Sequence, residues 1–532
     1  MGFSVEEGYR YASRLRGKLE HINPPNWVVD WSDAPWPLKI YTGGRRIQLG
    51  GIEPPWMTGE SKHSGRASLE RLLFYAVGCT RLRWVPPRSV QDSPELMLPG
   101  LNVGRAIASG GAMYPAEIYV YARALHDLPG GLYHYNPARH ELVEIRHALS
   151  EEDMCRALRL STPSALREAV VVVTNYFWKN FYKYADFSYR LGAVNVGVAV
   201  GRLHRLGEME FGEASAQFSF DDNLLNELLG VQGLEESAYA ALLLGPAGAS
   251  AEVHAPDDHD VDTRATEPGS LLVRERRRSR VIKRSSEFDA MHQSILDAAS
   301  ASGAASDQLF TLTHGEGRES HEQGIPLPVV EASPLQDLRG AIFRRVSNGA
   351  HFTGGTLPNT LLAASLWETH AALQRLHRSS PDRALPYPQL YCIIQRVQGI
   401  EAGAYKYEYS THSLIPIRMG HFGRELQTAL YGKNVNIEMC AYTLHIVDTL
   451  DFRKSSWGNR AYRIQQMLAG AALDTVMLVS SDRQASSHVL LGFNAALIDR
   501  LYALDTSPCG VLAQICVGTA RHGLYREGSL IS

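Results

Sequence analysis

Residues Ile107 to Ile118 read IASGGAMYPAEI, and the rest of the chain is best understood outward from them. Ser109, Gly110 and Gly111 suit a backbone that must come close to something flat or anionic, because a Cβ there obstructs the approach. Tyr114-Pro115 fixes the turn behind them. A strand of β-branched and aromatic residues, Ile118-Tyr119-Val120-Tyr121, follows. Alone, a glycine pair before a strand is an ordinary tight turn. Its weight comes from its neighbours.

Downstream, a Pro-Gly-Gly turn leads into an aromatic strand, Leu132–Tyr135, and Glu141–Ile145 alternates like its partner. Ala169–Thr174 (AVVVVT) reads as a buried strand. An aromatic, basic segment from Tyr176 to Tyr184 follows, then a helix of small residues over Tyr189–Leu206. The glycines and alanines of that helix admit either another helix or a cofactor. Phe220–Leu229 reads as a further helix and Ala240–Gly245 as a further strand. Upstream, Ser68–Cys79 has helical spacing, with Ser68 as a candidate cap and Gly78 as its stop. Residues 1–60 are rich in Pro, Trp and Gly, and beyond a helical Val5–His21 they read as an extended arm packed on the body.

The composition turns acidic, then basic, then Ala/Ser-rich between 249 and 305, which reads as a surface linker. The run Arg276–Arg280 within it is a solvated linker face before it is a phosphate site. Past the linker the pattern of the first half returns. Gly403-Ala404-Tyr405-Lys406-Tyr407 matches Gly131-Leu132-Tyr133-His134-Tyr135, and at the same offset His412 falls on His140. At an offset one residue longer, Tyr462-Arg463 falls on Tyr189-Arg190, Phe493 on Phe220 and Gly518 on Gly245. So steady an alignment across strands and helices is the mark of a duplicated fold, here a tandem pseudo-dimer. The copies are unequal. Ser456-Trp457 stands where the first half has Lys183-Tyr184, and Asp382–Tyr387 (DRALPY) has no glycine pair. Only the second half carries Arg344-Arg345-Val346-Ser347.

Ala108-Ser109-Gly110-Gly111-Ala112-Met113-Tyr114-Pro115, with Gly131–Tyr135, Lys183-Tyr184 and Tyr189-Arg190, resembles the Pro-Ser-Gly-Gly-Ala-Leu-Tyr-Pro loop and later motifs of SagB-type azoline dehydrogenases. Ala108 stands where that family has Pro. The likeness extends more loosely over most of the chain. It implies an α+β fold of two nitroreductase-like domains in tandem, each a mainly antiparallel sheet flanked by helices, packed as an intramolecular pseudo-dimer. The boundaries it suggests are an arm over 1–60, domains over 61–248 and 306–532, and a linker over 249–305.

It also implies FMN as cofactor, packed against Ser109, Gly110, Gly111 and Tyr114. Arg344-Arg345-x-Ser347 resembles the nitroreductase motif whose arginine holds the FMN phosphate and whose Ser reaches the flavin. Arg521, close behind Gly518, is a further phosphate candidate. An arginine pair alone is an ordinary surface feature, but in homodimeric relatives this motif and the glycine loop come from opposite subunits. The two remnants therefore complete one site. Lys183 and Tyr184 match the Lys-Tyr pair implicated in the family's catalysis. Removing a hydride from an azoline ring calls for a base on the neighbouring carbon, and either residue can supply it. The implied substrate is an azoline-containing precursor peptide, made by a cyclodehydratase complex that acts first, with molecular oxygen as electron acceptor. The alternatives are a nitro- or quinone reductase of the same fold and a non-enzymatic scaffold.

Bulk properties agree with this. The chain has 532 residues, 45% of them hydrophobic and 20% charged, with a formal net charge of −3. That balance gives no reason to expect nucleic acid or a membrane surface as partner. The six cysteines form no CxxC pair and no zinc spacing, so no metal is expected. The acidic start MGFSVEEGYR is unlike a signal peptide, and a cytoplasmic location is expected. No GxGxxG opens a helix after a strand, and no GxSxG elbow is present.

Overall fold

A computed structural model gives the structure of residues 3–17, 28–31, 34–50, 65–90, 93–123, 125–147, 149–246, 286–301, 324–330, 335–347, 349–432, 434–521 and 526–529. The first half contributes strands β1 (Arg46–Gln48), β2 (Cys79–Val90), β3 (Ser93–Arg105), β4 (Ala116–Ala122), β5 (Gly131–Asn136), β6 (Glu141–Arg146), β7 (Ala169–Tyr176), β8 (Ala214–Gln217) and β9 (Glu236–Leu244). The second contributes β10 (Ile325–Pro326), β11 (Gln389–Ile394), β12 (Gly403–Glu408), β13 (Ser413–Met419), β14 (Tyr442–Thr449), β15 (Ser486–Leu490), β16 (Cys509–Gly518) and β17 (Arg526–Ser529). One antiparallel sheet is ordered β1-β6-β5-β4-β7-β9-β8 and the other β10-β13-β12-β11-β14-β16-β15. The two orders agree strand for strand. β17, β2 and β3 form a small third sheet.

The duplication reaches single side chains. Tyr135 Oη lies 2.9 Å from His140 Nδ1, and Tyr407 Oη lies 2.8 Å from His412 Nδ1. Both histidines are left-handed, with φ of 49° and 46°. Tyr133 Oη donates to the Pro129 carbonyl and Tyr405 Oη to the Glu401 carbonyl. These bonds lock equivalent hairpins, which is why the repeated aromatic pattern survives in both copies.

Each half lays one long helix on its sheet, Phe187–Phe211 in the first and Arg460–Asp482 in the second. The two helices cross. A Cβ on Gly197 overlaps the Met467 carbonyl, and one on Gly470 overlaps the Val194 carbonyl. The small residues of the first helix therefore admit another helix at this point. Arg202 clasps Asp474 across the seam with two bonds of 2.9 and 2.8 Å.

Three expectations change. The stretch read as an extended arm opens with the expected helix, which spans Val5–Arg14 and stops short of His21, capped by Ser4 and Glu7, with Tyr11 packed on Tyr189. It also supplies β1, whose Ile47 alone of three residues is buried, the alternation of a strand with one face on the core. The stretch read as a linker is a helix over Ser286–Ala301. Phe288, Met291, His292, Ile295, Leu296 and Ala299 are buried, a helical stripe that the preceding charge run obscured. Residues 247–285, with Arg276–Arg280, lie outside the described residues. Ser68 caps nothing: the helix Arg66–Val77 begins after Gly65, and Ser68 is buried inside it. No helix among the described residues is long and apolar enough to cross a membrane.

Candidate active site

The glycine loop links β3 to β4. Gly111, Ala112 and Tyr114 all have left-handed backbone, with φ of 68°, 57° and 48°. Such a run is costly for residues that carry a Cβ, so it persists only where side chains pin it. Ser109 Oγ accepts from Tyr114 N at 2.9 Å, and Asn195 Oδ1 accepts from Gly110 N at 3.0 Å. Asn195 is itself oriented by donating to the Leu191 carbonyl one turn earlier. Tyr114 Oη accepts from Arg105 N, and the Arg105 guanidinium lies 4.5 Å from the Tyr114 ring centre. Gly111 and Ala112 are left exposed.

Lys183 and Tyr184 end the helix Trp178–Tyr184, stopped by left-handed Ala185. A Cβ on Gly111 would sit 2.9 Å from Tyr184 Oη and 3.5 Å from Lys183 Nζ, so both groups stand directly at this glycine. Lys183 Nζ lies 5.2 Å from the Tyr184 ring centre and 5.4 Å from that of Trp31. Burial pulls the Lys183 ammonium below its ordinary range and pushes the Tyr184 phenol above its own. Desolvation thus readies Lys183, and not Tyr184, to take a proton.

The second half approaches the same loop. Arg345, 8% exposed, donates to the carbonyls of Ala106 and Ile107 at 3.3 and 3.4 Å. Arg202 donates to the same Ala106 carbonyl, and Arg81 to the Ile342 carbonyl. Burial, then the charge of Arg81, lowers Arg345 to about 9. Among the described residues no carboxylate forms an ion pair with Arg345, and the nearby Asp474 is taken by Arg202.

Of the residues read from sequence, the structure brings together Ser109, Gly110, Gly111, Tyr114, Lys183, Tyr184 and Arg345. Arg344 turns the other way. It is exposed and paired with Asp337 at 3.0 Å, the residue that caps its own helix. Ser347 bridges to Ser487, and Arg521 N donates to the His351 carbonyl, which puts both on the edge of the second sheet. Sequence reading missed Asn195, Arg105 and Arg81. A lone Asn in an otherwise Gly/Ala/Val helix was the one signal available. No metal-binding cluster occurs among the described residues.

No known protein-family profile matches the chain. A crystal structure from Anabaena variabilis, named as that of a nitroreductase, superposes with a TM-score of 0.73 over 97% of this chain and all of that one. This chain has a nitroreductase-like fold. At 22% identity that superposition speaks of fold alone. A curated Methanocaldococcus jannaschii protein, also named as a nitroreductase, is 26% identical over 149 residues, 28% of this chain and 72% of that protein. The Escherichia coli microcin synthetase McbBCD complex with truncated pro-MccB17 matches over 42% of this chain at 16% identity. Its TM-score of 0.28 is too low to carry an argument.

Proposed function

We propose that the protein is an FMN-dependent dehydrogenase that oxidises thiazolines or oxazolines in a precursor peptide to thiazoles or oxazoles. One observation carries this reading. Arg345 of the second half reaches the glycine loop of the first, beside which Lys183 and Tyr184 stand.

The residues fit a planar, anionic group. Gly111, without a Cβ, lets Tyr184 and Lys183 come close to an exposed backbone, and among the described residues Arg345 is a buried cation bonded only to carbonyls. Ser109, Gly110, Gly111 and Tyr114 would face the ring system, with Arg345 serving the phosphate. Guanidinium suits phosphate because it donates in a fixed fork. Bound FMN supplies the acceptor for a hydride from one ring carbon. Lys183, in its neutral form, takes the proton from the adjacent carbon, so two hydrogens leave and one C=C bond forms. The phenol of Tyr184, held protonated, donates a hydrogen bond and orients the ring. Molecular oxygen accepts the electrons, and a cyclodehydratase supplies the azoline.

Mass spectrometry of a cyclised peptide before and after incubation tests the reading: each ring should lose two hydrogens. Unchanged peptide, with rapid NAD(P)H-dependent reduction of a small aromatic acceptor, would instead support the nitro- or quinone-reductase reading that the names of the relatives favour. A colourless protein inert in both assays would leave the scaffold.

A further inference from the structure

A buried ionic network lies next to the glycine loop, and among the described residues the second half has no counterpart of its Lys179–Glu117 pair. Lys179, wholly buried, donates to a carboxylate oxygen of Glu117, to the Tyr114 carbonyl at 3.2 Å and to the Pro37 carbonyl at 2.9 Å. The other Glu117 oxygen lies 3.0 Å from His134 Nε2. His134 packs against the rings of Tyr41 and Tyr119. Tyr119 Oη donates to Glu236 at 2.8 Å, and Lys39 donates to both Tyr119 and Glu236 at 2.6 Å. Thr174 Oγ1 adds another bond to Glu236.

Strand register gives the counterparts. Glu117 faces Thr174 as Gln389 faces Val447, and Tyr119 faces His134 as Tyr391 faces Lys406. Glu236 pairs with Tyr176 as Cys509 pairs with Thr449. At the matching offset Lys179 becomes Phe452, which is buried among Tyr9 and Tyr462. The second sheet therefore reaches the same topology with no charge at the positions of Glu117, Glu236 and Lys179. Buried ion pairs carry a desolvation penalty that their mutual attraction need not recover, so folding alone does not account for two of them in one half. Burial lowers Lys179 to about 8 against the pull of Glu117. The ammonium and the His134 bond outweigh burial at Glu117 and hold its carboxyl far below the usual range, so the pair is charged at neutral pH.

Lys179 sits one helical turn before Lys183 on the helix Trp178–Tyr184, and its carbonyl partner Tyr114 closes the glycine loop. We infer that Lys179 is a positioning residue: its ion pair with Glu117 ties the helix carrying Lys183 and Tyr184 to the loop at Tyr114, and so sets where those groups stand at Gly111. This rests on the reading of that loop as the flavin site.

The test is the double variant Lys179→Met/Glu117→Gln, which removes both charges together as the second half does. Two readouts are taken: steady-state kinetics on cyclised peptide, and the rate at which acetic anhydride acetylates Lys183, followed by mass spectrometry. The double variant should fold and keep FMN and KM within about twofold, while kcat falls on the order of 10²-fold, as for a catalytic group displaced by about 1 Å. Acetylation of Lys183 should change several-fold. A folded, flavin-loaded double variant with wild-type kcat and wild-type acetylation overturns the inference. So does a fall in kcat matched by lost flavin and raised KM, the signature of general loosening. If the double variant does not fold, Glu117→Gln alone decides on the same readouts, with roughly a tenfold fall in kcat expected and wild-type values overturning the idea. If the wild-type chain binds no FMN, the functional reading fails, and acetylation by itself still tests the clamp.

Discussion

Gly111 and Ala384 are the same position in two copies of one loop, matched by Tyr114-Pro115 and Tyr387-Pro388. Both are left-handed, with φ of 68° and 53°. Beyond that the chemistry around the two places differs. Both are exposed, but Gly111 stands beside Lys183 and Tyr184, whereas the Ala384 carbonyl accepts a hydrogen bond from the indole of Trp457, the counterpart of Tyr184, at 3.2 Å. Ser109 pins its own loop, but Asp382 in its place turns its carboxylate onto the backbone N–H groups of Phe218 and Ser219 in the first half. Asn195 gives way to Leu468. Arg460 and Arg463 both clasp Asp222 across the seam, where the matching positions of the first site are Phe187, Arg190 and Ala495. The second copy has become an interface. A symmetric homodimer cannot do this to one site and spare the other, because each substitution appears in both. Fusion removes that constraint, so one loop is free to bind and the other to hold the halves together.

The largest expected difference between the copies lies in the chemistry. Lys183→Ala should leave the protein folded and yellow while slowing azole formation by about 10²–10⁴, the usual effect of losing a general base. Ser456→Ala, at the matching position, should leave turnover unchanged. The wild-type rate should rise with pH as Lys183 loses its proton, because the neutral amine is the active form. Burial lowers its pKa, so the midpoint should fall below free lysine's value of about 10.4, and the limb should vanish in the alanine variant. Equal effects at Lys183 and Ser456 would break the comparison.

A smaller contrast separates two adjacent arginines. If Arg345 holds the FMN phosphate as proposed, Arg345→Ala removes a charge-assisted contact of about 1.5–3 kcal/mol. FMN affinity should therefore drop roughly tenfold to over a hundredfold. Arg344→Ala breaks an exposed pair with Asp337 and a bond to the Ser481 carbonyl, both away from the loop, and should change affinity little. Titration of FMN into flavin-free variants reads both, and equal losses would show that Arg344 also reaches the phosphate.

Stoichiometry is a test by a factor of two. Released flavin should approach one per chain in loaded protein, and a reproducible value near two would mean the second loop also binds. The finest contrast is conformational. Gly111→Ala places a Cβ against Tyr184 in a left-handed position and should cost about 1–2 kcal/mol, along with most activity. Ala384→Gly removes the same strain in the second loop, so it should raise the melting temperature slightly or leave it unchanged, with turnover intact.

The sequence alone determined the duplication and the first half of the site. Hairpin tyrosines, a glycine loop and a Lys-Tyr dipeptide are local features, legible because neighbouring residues impose them on one another. It did not show that Ser286–Ala301 is core, because helical spacing there follows a long charge run. Nor could it choose between Arg344 and Arg345. That choice is made where the helix ends at Arg344 and the backbone turns extended at Arg345, sending one side chain to Asp337 and the next to Ala106 and Ile107. Lys179 and Glu117, 62 residues apart, meet only because β4 lies beside the chain leaving β7. Groups so distant in sequence carry no local sign of one another. Packing decides which buried charge finds which partner, since an ion left without one is too costly to keep inside.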